Sequence, residues 1–195
     1  MQPGPAFVTK EVLGAVSWGG MPKQLESVES TDDIAKLVVF DTWVRNLDRF
    51  PPDGTGRRPN YDNVFFAPVA GNARRYTICA IDHTHCISQG REIGNWLAGI
   101  DCVKDEKIYG LFPEFRKFVT PQSIKRSLAD LNGIDEKTIV EIVESTPLAW
   151  GGSEARKKTV CDFIIQRKAF IITSVYDRVK TCCQWQGELS NGDWL

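Results

Sequence analysis

The chain lacks a large net charge of either sign, any long apolar run and any regular cysteine spacing, and each absence closes off a class of function. Its 24 Lys and Arg nearly balance 25 Asp and Glu, leaving −1 over 195 residues. No bulk electrostatic pull toward nucleic acid or an anionic membrane follows from that balance. No stretch approaches the roughly 20 apolar residues of a membrane span. Met1-Gln2-Pro3-Gly4-Pro5 has neither the basic start nor the apolar core of a secretion signal, so a cytoplasmic protein is expected. The six cysteines (79, 86, 102, 161, 182 and 183) contain no C-x-x-C and are expected as reduced thiols. A zinc set of His83, His85 and Cys86 with Cys182 or Cys183 satisfies the ligand chemistry, but it crowds three ligands into four residues. There is no G-x-G-x-x-G and no Walker A pattern to cradle phosphates.

What is present fits one ordinary domain, at 42% hydrophobic and 25% charged residues. We expect a single unit over 1–183, with an irregular lead-in over 1–30, a long Pro/Gly/Arg loop over 51–62, and a loosely held tail over 184–195. Helices are predicted from Ser30-Thr31-Asp32-Asp33 onward, and over Arg91–Ala98, Pro121–Leu131, Asp135–Glu144 and Ser153 to about Lys180. In the last of these, Phe163, Ile164, Phe170, Ile171 and Val175 share one side, and Arg156, Lys157, Lys158, Arg167 and Lys168 are expected elsewhere. Phe7, Val8, Val12 and Leu13 are candidates to cover the core or dock a partner, and Trp150 reads as a core anchor.

Three polar positions carry the chemistry. Asp48 closes Asp41-Thr42-Trp43-Val44-Arg45-Asn46-Leu47-Asp48-Arg49; Asn63 opens Asn63-Val64-Phe65-Phe66; Asp82 ends the apolar run Tyr76–Ile81. An Asp, an Asn and an Asp after a strand is the order in which phosphotransferases present a base and two metal ligands. Pro51-Pro52 must stop the first helix, which places Asp48 at a helix end beside a loop. Val64–Val69 and Tyr76–Ile81, separated by a Gly-Asn turn, read as a hairpin. A turn centred between 72 and 73 sets Asn63 opposite Asp82, about 4.5–5.5 Å apart at Cα. The register decides the matter, because a slip of one residue turns the two side chains apart. Asn46 is a candidate to orient Asp48 or to satisfy the helix end, and Asp82 alone could simply begin an Asx-turn to Thr84.

The run Phe40-Asp41-Thr42-Trp43-Val44-Arg45-Asn46-Leu47-Asp48-Arg49, with Asn63-Val64-Phe65-Phe66 and Ile81-Asp82-His83, resembles the HipA-like kinase family, especially its smaller relatives. Thr146-Pro147-Leu148-Ala149-Trp150 is similar to their Pro-x-x-Trp segment. The resemblance implies an α+β, mostly α fold like the C-terminal lobe of a protein kinase, a helical bundle with a β-hairpin carrying the metal ligands. It implies Asp48 as catalytic aspartate, Asn63 and Asp82 as magnesium ligands, ATP as phosphate donor and a protein Ser/Thr hydroxyl as acceptor. Two departures stand. Phe50 occupies a position where the family usually has His, and the long 51–62 loop leaves Asn60 as an alternative to Asn63. The small lobe, with its glycine-rich loop and strand lysine, is not found in the sequence. Three explanations stand open: the sequence is a truncated gene product, the small lobe is supplied by another polypeptide, or the chain is a noncatalytic, pseudokinase-like module for a partner such as an antitoxin-like regulator.

Overall fold

The structure is a computed structural model and describes residues 11–150 and 152–185. It is a mostly helical α+β arrangement. Its strands are β1 (Val16–Ser17), β2 (Val64–Val69) and β3 (Asn72–Ala80), and its helices are α1 (Pro22–Leu25), α2 (Asp32–Val44), α3 (Ile100–Val103), α4 (Pro121–Gly133), α5 (Glu136–Glu144) and α6 (Glu154–Cys183). The lead-in is less irregular than expected, since β1 pairs antiparallel with β2. Phe7, Val8 and the tail beyond 185 lie outside the described residues, whereas Val12 and Leu13 are exposed rather than covering the core. No helix among the described residues is long and apolar enough to cross a membrane.

α2 occupies the centre. Ile34, Ala35, Leu37, Val38, Val39, Trp43 and Val44 are all buried, so apolar side chains cover most of its circumference. α4, α6 and β3 all pack against it. At one end Trp18 stacks on Phe115 at 4.9 Å between ring centres and meets Phe112 edge-on at 5.0 Å. Gly20 runs past the Tyr61 ring so closely that a Cβ would lie 2.9 Å from it, and its φ of 84° also favours glycine.

The predicted helix ends hold at Pro121, where Thr120 Oγ1 accepts from the Ser123 amide and Ser123 Oγ from the Thr120 amide, a reciprocal cap. They fail over Arg91–Ala98, where only a short 3-10 turn, Asn95–Ala98, forms. In α6 the apolar stripe is as expected, but Lys157 and Arg167 lie buried on it. The reason is visible in what they touch. Lys157 Nζ donates to the Glu144 carbonyl (2.9 Å) at the end of α5, and Lys168 Nζ to the Asn132 carbonyl (3.1 Å) and that of Ile134 at the end of α4. Arg167, with no exposed surface, donates to the Thr42 (2.8 Å) and Trp43 (3.0 Å) carbonyls ending α2, and to the carbonyls of Cys102 (3.1 Å), Val103 (3.0 Å) and Asp105 (3.1 Å). Helix C-termini leave carbonyls without partners and carry partial negative charge, so each cation is spent on a helix end rather than on solvent.

Candidate functional site

α2 stops earlier than the prolines require. Arg45 adopts a left-handed conformation (φ 54°) and the Asn46 amide reaches back to the Asp41 carbonyl at 2.9 Å, a Schellman-type end. Asp48 therefore sits four residues past the helix, in a turn, and not on the helix end itself. A non-glycine residue in this conformation is strained, and an almost fully buried ion pair holds it there: Arg45 Nε meets Asp105 Oδ2 at 2.9 Å. Desolvation works to raise the Asp105 pKa, but the Tyr109 hydroxyl (2.6 Å), the Lys107 amide and Arg45 outweigh it and hold the carboxyl below its ordinary value.

The turn is organised from inside. Asp41, fully buried, accepts at Oδ1 from Asn46 Nδ2 (3.0 Å) and from Arg49 Nη1. Asn46 Oδ1 in turn accepts from the Asp48 amide at 3.0 Å, so Asn46 satisfies the helix end and positions Asp48 at once. Arg49, also fully buried, continues outward: Nε donates to the Asn63 carbonyl (3.3 Å), Nη2 to the Ile81 carbonyl (3.0 Å), and Nη2 lies 3.4 Å from His83 Nε2. Desolvation where its ring meets Phe40, and then the Arg49 charge, keep the His83 imidazole below its usual pKa and hence neutral at pH 7, able to accept from the guanidinium. One guanidinium thus ties the end of α2, the start of β2 and the end of β3 to the Asp48 turn. Burial pushes the Asp41 carboxyl up, against the pull of Arg49 and Asn46, and its Oδ2 has no hydrogen-bond partner among the described residues. Gly110 (φ 72°) packs against that oxygen, leaving no room for a Cβ.

The hairpin forms one residue out of the expected register. Val64 pairs with Ala80 and Pro68 with Tyr76, but Val69 pairs with Asn72 across Ala70-Gly71, leaving 73–75 as an irregularity on β3. This bulge displaces the ladder from the symmetric pairing about 72/73. Asn63 consequently faces Ile81, whose amide donates to the Asn63 carbonyl at 3.1 Å, and Asp82 is one residue further on. Asp82 takes a left-handed conformation (φ 52°) and turns its Oδ1 to the Thr84 amide (3.1 Å) and hydroxyl (2.7 Å), an Asx-turn that keeps its pKa low.

Of the three residues singled out, two are in contact. Asn63 Nδ2 donates to Asp48 Oδ2 at 2.5 Å, and Asn60 Nδ2 approaches the same oxygen at 3.4 Å, because the Asn60 amide donates to the Arg49 carbonyl (2.9 Å) and closes the 51–62 loop. The described residues show no hydrogen bond from Asp82 to this pair. Its charge nonetheless reaches the same neighbourhood: desolvation, followed by the Asp41, Asp48 and Asp82 carboxylates, pushes the Cys86 thiol up to about 12 against the opposing effect of Arg49. Cys86 is inert as a nucleophile at neutral pH. For zinc, the described residues hold no cluster of three or more His, Cys, Asp or Glu able to take a metal ion. The Asp48, Asn63 and Asp82 oxygens are hard donors of the kind magnesium accepts, and that ion is commonly held by one or two carboxylates with phosphate and water completing its shell.

No family model, curated protein or solved structure matches the chain. The site therefore has to be read from its own chemistry. Asn46 is a candidate from sequence, whereas Asp41 and Arg49 are not marked there as site residues, although Asp41 falls in phase with Ile34, Leu37 and Val38, which marks the buried side of α2. Nothing in the pattern around Arg49 distinguishes it from Arg45, and its partner is Asp41, not the adjacent Asp48.

Proposed function

We propose that the chain is the large lobe of a HipA-like kinase that transfers phosphate from ATP to a protein Ser/Thr hydroxyl, acting with a separately supplied small lobe. The observation that carries this reading is the Asn63–Asp48 hydrogen bond, built on the buried Asp41–Arg49 pair that also grips the carbonyl preceding Asp82. A carboxylate on a turn, steadied by the Asn46 side chain at its own amide, is suited to accept the proton of an incoming hydroxyl. Asn63 and Asp82 would hold magnesium, which supplies charge neutralisation to the donor phosphates when bound. Positioning and electrostatics are what such a transfer asks of the protein.

The test is transfer of labelled γ-phosphate by the full chain, alone and with the product of the neighbouring gene. Label in the mixture, lost in Asp48→Asn, is expected. In parallel, Asp82→Ala is expected to abolish magnesium-dependent ATP binding by calorimetry; unchanged affinity defeats the assignment. The second reading, a noncatalytic pseudokinase-like binding module, is favoured by the absence of a glycine-rich loop and strand lysine from the sequence. It predicts partner capture without label in either arm.

A further inference from the structure

A cleft of about 580 Å³ lies between the 87–93 segment, α5 and the first turns of α6, and no residue of the Asp48 turn lines it. Its volume is that of a small-molecule site. Its apolar lining includes Ile93, Val143 and Val160, and two large side chains at its edge remain open to solvent, Ile142 at 64% and Trp150 at 50% exposure. Trp150 is therefore not the core anchor expected from sequence. An exposed apolar surface that continues into a cleft is the signature of a site that meets a ligand.

The charges around the cleft are unequal. Arg156 pairs with Glu92, and Lys157 with Glu144. Arg91 has no ion pair and no side-chain hydrogen bond among the described residues; its guanidinium is stacked on Trp96, 3.7 Å from the ring centre. Stacking fixes the plane of the fork and leaves its N–H donors unused, the state in which arginine recognises a carboxylate or phosphate in two-point fashion. The adjoining wall is firm: Ile87, a β-branched residue at φ 56°, is held by its amide on the Val44 carbonyl at 2.6 Å.

We infer that this cleft binds an amphipathic organic anion, an apolar body seated on Ile93, Val143, Val160 and Trp150 with a carboxylate or phosphate head on Arg91. The inference is independent of the phosphotransferase reading. Calorimetric titration of the full chain with decanoate, decyl phosphate and the neutral decanol tests it, and the first two arms distinguish the two head groups. At least one anion is expected to bind, and Arg91→Gln to weaken it about tenfold, the worth of one charge-assisted contact, while leaving decanol unchanged. Lys23→Gln, a cation remote from the cleft, is expected to change nothing. Arg91→Lys, which keeps the charge but loses the fork, is expected to fall between. Absence of binding by both anions, equal binding by Arg91→Gln with unaltered far-UV circular dichroism, or equal weakening of anion and alcohol overturns the proposal. Loss of the binding-induced fluorescence change in Trp150→Phe, with affinity retained, supports it.

Discussion

The guanidinium of Arg49 has no exposed surface, yet it answers to four groups from three separate parts of the chain. Removing one partner of such a pair costs more than the pair contributes, since the survivor is a charge without solvent. Arg49→Met is therefore expected to lower unfolding free energy by about 3–5 kcal/mol, measured by urea titration. Adding Asp41→Asn to that variant is expected to recover part of the loss, because it removes the stranded carboxylate; a strictly additive double mutant refutes this coupling. At this scale the sequence was informative about chemistry and poor about partners. The order Asp, Asn, Asp could be seen. That Arg49 would choose Asp41 over its neighbour Asp48 could not, since the choice depends on a left-handed residue at Arg45 that folds the turn back over the helix end, where only glycine or asparagine would have advertised it.

Among elements, the Arg45–Asp105 pair joins the end of α2 to the segment after α3 and should give stability a pH dependence of known sign. Asp105 is held below its ordinary pKa in the folded chain, so the unfolded chain takes up the proton first. The stabilisation is complete above about pH 5, and it is lost as pH falls through about 4 toward the lowered folded value. Asp105→Asn is expected to be much less stable than the parent at pH 7, with the gap narrowing at pH 3. A gap that stays constant with pH would falsify the linkage. Most of the elements themselves were legible: the cap at Thr120, the helix beginning at about Asp135, the apolar phase of α2, and the two long strands. The hairpin register was not, because a three-residue bulge leaves no mark in an alternation pattern that is already interrupted by Ala70-Gly71. Nor was the use of Lys157, Arg167 and Lys168. A charged residue in phase with Phe163 and Ile171 reads as an interruption of the stripe unless its carbonyl partners, up to 125 positions away, are known.

Over the whole molecule, one cluster of buried apolar side chains runs from Trp18 and Leu25 through α2 to Ile171, Val175 and Val179. A continuous core of this kind is expected to unfold in one step. Far-UV circular dichroism and the fluorescence of the buried Trp18 and Trp43 should give coincident urea transitions, and separated midpoints would show two cooperative units. The general class, helices around a small antiparallel sheet, could be read from composition and periodicity because both report burial. The cleft at Trp150 could not, since an exposed aromatic and a buried one look alike in sequence.

The cations of α6 have a bearing on synthesis. Because the ribosome delivers this helix late, the carboxyl ends of α2, α4 and α5 emerge before the residues that neutralise them, Arg167, Lys168 and Lys157. Until α6 docks, the Thr42 and Trp43 carbonyls beside the Asp48 turn lack the Arg167 donors, so the turn is expected to take its final order only together with that helix.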